Sequence, residues 1–442
     1  MRRPRIVRGR RFFVGDESLC RSLFAGMGHD GPMHILSAHN RSEFLAVPQL
    51  IRFDYAHGSD GFEPAFLVKG STVLLKYIVL GARMQLAFTI CGGRLLCALK
   101  VYDDGENGCI LWSVVEREEE LNGIRSLARD EPLAAFLFNE LAVNVAWNNL
   151  PAQGTLDRLS MWTNNAALGR VDHSAIKGAA LPLLNRLHRH IEDEDEWLVL
   201  EVGGKSDWKP IRNHFITAGA SISLIHLFDD DEGNQQEQLG VWLTDNLQSS
   251  GVHHSPQIPK GNGTRELTDI LLSHEFGSVL IESKALSVLT RERLPDRAKL
   301  TRDVSAHIGK AFAQLRGAMR ALKSGVPVTG PKGSTLSVER ERPAHAIVLI
   351  PDLELVDERA AYGIEFMQDF MSATGGFAHL LDIAELLRIV QAAEMIASRG
   401  TTTTPMMAFD YYLVERAKTA ANAGTLCIEV LLRFADDETT AD

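Results

Sequence analysis

No stretch of the sequence reaches the 18 or so uninterrupted apolar residues that suggest a membrane-spanning helix, and the longest runs, such as Thr72–Leu80, suit strands. The basic start, Met1-Arg-Arg-Pro-Arg, is not followed by an apolar signal core, so nothing marks the chain for export. Cysteine is scarce: Cys20, Cys91, Cys97, Cys109 and Cys427 are scattered, and none forms a CxxC pair. That spacing disfavours a disulfide scaffold or a structural zinc site, and a reducing cytoplasm is expected. Aromatic residues make up only 7%, without basic–aromatic interleaving, which argues against a platform that stacks single-stranded bases. Positive charge is not in excess either. With 46 Lys and Arg against 57 Asp and Glu, the net charge of -11 excludes a uniformly basic nucleic-acid coat but not a local basic patch. A phosphate-binding loop is also missing. Gly203-Gly-Lys-Ser206 has Val199 where the motif needs glycine, and Pro331 interrupts Gly325–Lys332.

What is present is enough apolar material for sizeable cores: 442 residues, 45% hydrophobic and 23% charged, a length that suits two domains. Six arginines among the first eleven residues (Arg2, Arg3, Arg5, Arg8, Arg10, Arg11) read as a solvated arm or a phosphate-contacting one. Short β-branched or apolar runs follow at Ala65–Lys69, Val73–Leu80, Met84–Cys91, Arg94–Val101 and Cys109–Val115, divided by turn chemistry. Helical spacing predicts helices at Glu118–Ala128 and Pro132–Trp147, the second with Leu133, Phe136, Leu137, Leu141 and Val145 on one face. The amino-terminal part, residues 1–195, is thus expected to be a β-rich α+β domain serving recognition, partner contact or regulation. Its histidines His29, His34, His39 and His57 have no metal-binding spacing. Further on, the pattern predicts a helix at Leu183–His190, strands at Trp197–Val202 and Ser221–Phe228, a helix over Asn234–Gln248, and a polar connector at Ser249–Gly263. Residues 196–442 form the second expected domain, a mixed α/β unit with its core at about 235–400.

Chemistry concentrates between Arg265 and Ile350. A strand at Glu266–Leu272 carries Asp269 at its centre, Ser273–Ser278 is a hairpin connection, and Val279–Leu286 is a strand that is apolar except at Glu282, Ser283 and Lys284. Side chains alternate along a strand, so Glu282 and Lys284 share a face about 6.6 Å apart. If the strands pair, Asp269 reaches the same end of the sheet. Burying three ionisable groups there is costly unless they pair or hold a metal, and carboxylate oxygens suit Mg²⁺ or Mn²⁺. An E-x-K triplet alone describes many exposed Glu–Lys pairs. The apolar run it ends, the upstream acid and the next helix set this one apart. That helix, Asp303–Lys323, buries Val304, Ile308, Phe312, Leu315, Met319 and Leu322 and turns His307, Lys310, Gln314 and Gly317 to an adjoining polar face. Between Lys284 and Lys323 ten Lys or Arg outnumber three Asp or Glu, a local inversion of charge that suits a polyanion. A strand at Ala344–Ile350, a strand at Gly376–Leu381 and a helix at Ile383–Ala397 complete the pattern.

Asp269, twelve residues, Glu282-Ser283-Lys284 and a helix with Gln314-Leu-Arg-Gly317 resemble the PD-(D/E)XK phosphodiesterase superfamily, the restriction-endonuclease-like fold. The resemblance covers roughly residues 235–400, and its recognisable signal lies within about 266–320. It implies a central mixed sheet flanked by helices, with Asp269, Glu282 and the backbone carbonyl of Ser283 as ligands of Mg²⁺ or Mn²⁺. It implies that Lys284 assists the attacking water and that Gln314 helps to place lysine and water. Thr268 stands where the motif has proline. An additional upstream acid is implied as well, and Glu237 and Glu266 both qualify.

The function expected is a divalent-metal-dependent nuclease, with DNA favoured over RNA by analogy with the family and a prokaryotic restriction or antiviral-defence setting. Lys299, Arg302, Lys310 and Arg316 are the candidate contacts to nucleic acid, and a homodimer or a protein partner could engage the amino-terminal domain. The competing expectations are a non-catalytic nucleic-acid-binding or assembly module that keeps the fold, and an α/β metabolic enzyme with a chance E-x-K.

Overall fold

In the computed structural model the described residues run from 34 to 428, except 59–60, 104, 106–107, 128–132, 151, 154–156, 172, 190–195, 203–206, 217–221, 248–250, 292–294, 357–358 and 401. The arginine arm, Cys20, His29 and the Gly203–Ser206 segment lie outside them. The protein is a mixed α+β molecule, and residues 33–442 cluster as one compact unit.

The elements, in chain order, are α1 (Ala38–Ala46), β1 (Leu50–Gly58), β2 (Gly61–Lys69), α2 (Thr72–Val79), β3 (Met84–Cys91), β4 (Arg94–Val101), β5 (Cys109–Val114), α3 (Glu118–Ser126), β6 (Leu133–Phe138), β7 (Asn144–Leu150), β8 (Ala152–Gln153), α4 (Asp157–Asn165) and α5 (His173–His188). They continue with β9 (Leu198–Val202), β10 (Lys209–Pro210), β11 (Asn213–Ile216), β12 (Ile222–Ile225), α6 (Glu232–Asp245), β13 (Val252–His254), β14 (Gln257–Lys260), β15 (Gly263–Glu266), β16 (Ile270–His274) and β17 (Gly277–Ser283). The last are α7 (Arg297–Lys323), β18 (His345–Ile350), α8 (Ile364–Thr374), β19 (Phe377–Asp382), α9 (Ile383–Arg399) and α10 (Pro405–Ala423).

Two five-stranded sheets, ordered β1-β2-β6-β7-β10 and β5-β4-β3-β9-β8, occupy the amino-terminal half. Phe53 meets Phe66 and Phe88 at ring-centroid distances of 5.0 and 6.2 Å and joins the two. Residues 191–195, where a domain boundary was expected, are not described. The strands just after them, β9 and β10, complete these sheets.

Three expectations are corrected here. The polar connector expected at Ser249–Gly263 instead contributes β13 and β14. Val73–Leu80 is helical, not extended. The Ser71 hydroxyl accepts from the Leu74 N–H and caps α2, and residues 73–78 are buried on all sides, so the apolar run carried no visible period. Pro132–Trp147 is not a helix but the antiparallel pair β6–β7. Leu133, Ala135 and Leu137 enter one core, while Phe136, Phe138 and Trp147 enter another with Phe44, so both strand faces are apolar and the pattern imitates a helical one. Asn139 makes the turn: its side-chain oxygen accepts from the N–H of Leu141 and of Val143, and Ala142 takes φ 56°.

A third five-stranded sheet, ordered β13-β16-β17-β18-β19, carries the candidate residues. β13, β16 and β17 are antiparallel neighbours, and β17, β18 and β19 run parallel. Parallel neighbours need crossovers, which α7 and α8 supply. Leu271, Leu280, Ala346 and Val348 face α7 through Val304, Ile308, Phe312 and Leu315. Ile270, Leu272, Ile281 and Leu349 face the other way, toward Leu239 and Leu243 of α6 and the apolar stripe of α9. The central strands β16, β17 and β18 are therefore buried on both sides, and most of their residues are apolar. Polar side chains in them stand out for that reason.

Candidate active site

β16 and β17 are joined by a tight hairpin, with His274 opposite Gly277 and Ile270 opposite Ile281. That register brings Asp269 beside the end of β17. Two expected details are corrected: Asp269 immediately precedes β16 and does not sit at a strand centre, and Lys284 lies just beyond the end of β17. The sheet continues into the site all the same. The Lys284 N–H donates to the Leu349 carbonyl at 2.8 Å, and the Thr268 hydroxyl donates to the Ile281 carbonyl at 2.8 Å. Ser255 N–H donates to the Asp269 carbonyl at 2.8 Å, which fixes Asp269 from the β13 side.

Three charged groups meet there. Lys284 Nζ lies 2.9 Å from Glu282 Oε2 and 3.7 Å from Asp269 Oδ2, and Asp269 Oδ2 accepts the Ser283 N–H at 2.6 Å. Asp269 and Glu282 are 8% and 2% exposed, so two carboxylates share a nearly dry strand end with one amine. Burial, reinforced by the charge of Glu282, pushes the Asp269 carboxyl up to about 7. Burial also raises Glu282, against the pull of Lys284. Burial acts to lower Lys284, but the charges of Glu282 and Asp269 win and hold it above its ordinary value. The N–H and C=O of an extended residue project to the same edge, so the Ser283 carbonyl faces the Asp269 side as its N–H does.

The donor atoms here are oxygens, the type a hard divalent ion takes. Among the described residues no group of three His, Cys, Asp or Glu side chains is arranged to hold a metal. Two carboxylates and a backbone carbonyl are what Mg²⁺ uses when it retains several waters. Burial is the first cause of both raised carboxyls, and a nearby cation would lower them.

Of the two upstream acids, Glu237 on α6 is half-buried, 3.2 Å from His254 Nε2, and its negative charge acts on both Asp269 and Lys284. Glu266 stands exposed at the end of β15, and its charge reaches Glu282. His254, raised first by its hydrogen bond to Glu237, was not legible in the sequence as part of this group. Nor was Gln236, whose amide donates to Ser283 Oγ at 3.0 Å and to the Leu349 carbonyl at 3.1 Å. Only its place on a helix before the first strand of the sheet could have pointed to it.

The α7 residues divide. His307 faces the strand end; burial, then the charges of Lys284 and Lys310, lower its pKa. Gln314 lies exposed seven residues farther along, about 10 Å on the helix axis. Among the described residues no hydrogen bond joins it to Lys284, Glu282 or Asp269, so its expected place beside the lysine is not what the structure has. Lys299, Arg302 and Lys310 are exposed. Arg316 is turned away, its guanidinium 5.4 Å over the rings of Phe366 and Phe370, so it packs against α8 and does not stand on an open rim.

Perturbed carboxyls also occur at Asp352 and Asp382, raised by burial to about 6 and about 7. Both are committed to backbone N–H groups: Asp382 caps α9 through Glu385, and Asp352 caps the turn at Glu354. They read as structural caps. No helix among the described residues is long and apolar enough to cross a membrane. No family model, curated protein or solved structure significantly matches the chain.

Proposed function

We propose that the protein is a divalent-metal-dependent nuclease whose centre is Asp269, Glu282 and Lys284. The observation that carries this reading is the convergence of those three groups at one buried strand end, with a carboxyl raised to about 7. The order of elements supports it: a helix, three antiparallel strands, a crossover helix and a parallel strand, with acid, acid and lysine at the ends of the second and third strands, as in the restriction-endonuclease-like core. Mg²⁺ or Mn²⁺, when bound, would activate a water and offset charge on the phosphate.

The chain's own residues do the rest. Asp269, Glu282 and the Ser283 carbonyl would hold the ion, with Glu237, whose charge acts on both Asp269 and Lys284, as the favoured additional acid. Lys284, fixed by both carboxylates, orients the attacking water and counters negative charge building on the phosphate oxygens. The exposed Lys299, Arg302 and Lys310 supply contacts to the phosphate backbone. DNA is the favoured substrate by family analogy. Purified protein incubated with plasmid, linear duplex and RNA in Mg²⁺, Mn²⁺ or EDTA tests the proposal. Cleavage that requires the metal supports it, and cleavage insensitive to EDTA contradicts it.

A further inference from the structure

The segment leaving the catalytic strand is fastened along one edge of α6. Gln236 grips its start through Ser283 Oγ and the Leu349 carbonyl, the same carbonyl that accepts the Lys284 N–H. Glu232, one turn earlier on the same face, grips its far side: Oε1 accepts the Leu289 N–H at 2.7 Å. The other Glu232 oxygen is taken by Lys76, from α2 in the amino-terminal half, and the two side chains are only 7% and 4% exposed. The neighbouring Tyr77 hydroxyl donates to the Pro295 carbonyl at the end of the same connection.

Between these fastenings the backbone is strained. Ser287 takes φ 49°, a region that non-glycine residues visit at a cost and keep only where the surroundings hold them. Arg291 adds to the hold, donating to the carbonyls of Leu286 at 2.9 Å and Ser287 at 3.2 Å while pairing with Asp303 at 2.8 Å. A buried Lys–Glu pair is a poor way to gain stability, since apolar residues of similar volume do as well or better. An apolar pair could not accept the Leu289 N–H.

We propose that Lys76 and Glu232 are positioning residues of the catalytic centre: the amino-terminal half, through Lys76, orients Glu232 so that it holds residues 284–289 in the strained path that keeps Lys284 over the two carboxylates. This inference rests on the nuclease reading for its catalytic consequence and on the geometry alone for its structural one.

The test compares Lys76→Met, Lys76→Arg and the double variant Lys76→Met/Glu232→Leu by melting temperature, steady-state cleavage in saturating Mg²⁺, and hydrogen exchange of the peptide covering 284–296. The double variant removes the stranded carboxylate, so its melting temperature returns to about the parent's while the Leu289 N–H stays without an acceptor. Its kcat is expected to remain low, by ~10²-fold, with KM for the nucleic acid little changed. Exchange in 284–296 is expected to be faster, and Lys76→Arg to keep most of the activity. Recovery of both stability and kcat in the double variant, or parent-like exchange in 284–296, overturns the proposal. If the parent cuts nothing in any metal, the nuclease reading fails by itself. The exchange arm still decides the clamp: faster exchange confined to 284–296 upholds it, and unchanged exchange overturns it.

Discussion

Ser283, the residue between Glu282 and Lys284, donates its backbone N–H to the Asp269 carboxylate at 2.6 Å. The bond crosses from β17 to the residue just before β16, and it sets the distance between the two acids before any ion is considered. Lys284 sits closer to Glu282, at 2.9 Å, than to Asp269, at 3.7 Å. The consequences can be measured.

The Asp269 carboxyl titrates near 7 in the folded protein against about 3.9 when unfolded. Between those values the folded state binds the extra proton, so this group's contribution to stability falls as pH rises from 4 to 7. A Mg²⁺ ion held by Asp269 would compete with that proton. Mg²⁺ is therefore expected to raise the melting temperature more at pH 8 than at pH 5.5. Asp269→Asn should abolish the metal effect and melt higher than the parent in metal-free buffer at pH 8, by on the order of 2 °C. Thermal unfolding with and without Mg²⁺ at the two pH values checks both.

Glu237 and Glu266 should differ in their effect on metal. Glu237 is held by His254 and acts on both Asp269 and Lys284, whereas Glu266 is exposed. Glu237→Ala is expected to raise the Mg²⁺ concentration for half-maximal activity by ~10-fold or more, the size typical of groups that orient a metal's ligands. Glu266→Ala should change it by less than about 3-fold on the same scale. Activity titrated against Mg²⁺ gives the answer.

At the far end of the sheet, His379 Nε2 lies 2.9 Å from His345 Nδ1, and His345 Nε2 lies 3.4 Å from Asp410. Burial holds His379 well below its ordinary value and His274 below it too. Groups depressed in the folded state bind protons preferentially when unfolded, so their contribution is full above about 6.5 and is lost as pH falls below it. These histidines should pull the melting temperature down as pH falls from 7 to 5, against the opposite trend of Asp269, and His379→Leu should remove part of that loss relative to the parent.

Gly376 lets two backbones touch. A Cβ there would lie 2.3 Å from the Ala344 carbonyl oxygen, which the Phe377 N–H also uses, and 2.3 Å from Met319 Cε. Gly376→Ala is expected to destabilise the protein by about 1–3 kcal/mol through forced separation of β19 from the chain entering β18. Denaturant unfolding measures it.

The charged cluster of the candidate site was legible where the fold makes charge conspicuous. Glu282 and Lys284 end a strand buried on both faces, and the Asp269 spacing follows from the two-residue hairpin at Glu275-Phe276. The long crossover helix was legible because Val304, Ile308, Phe312 and Leu315 keep a clean period. Periodicity failed where burial is complete: α2 shows no polar face, and β6 sends alternate residues into two different cores. Gln236, His254, Glu232 and Lys76 could not be found from sequence, because their role is set by partners far along the chain, such as Lys76 and Glu232 at a separation of 156 residues.

The most direct measurement takes Asp269→Ala through two assays at once, metal-dependent cleavage of duplex DNA and equilibrium DNA binding. Cleavage is expected to fall by at least ~10²-fold, the scale of losing a group that positions the reacting water, while affinity stays the same or tightens. A variant that cuts as fast as its parent would contradict the account.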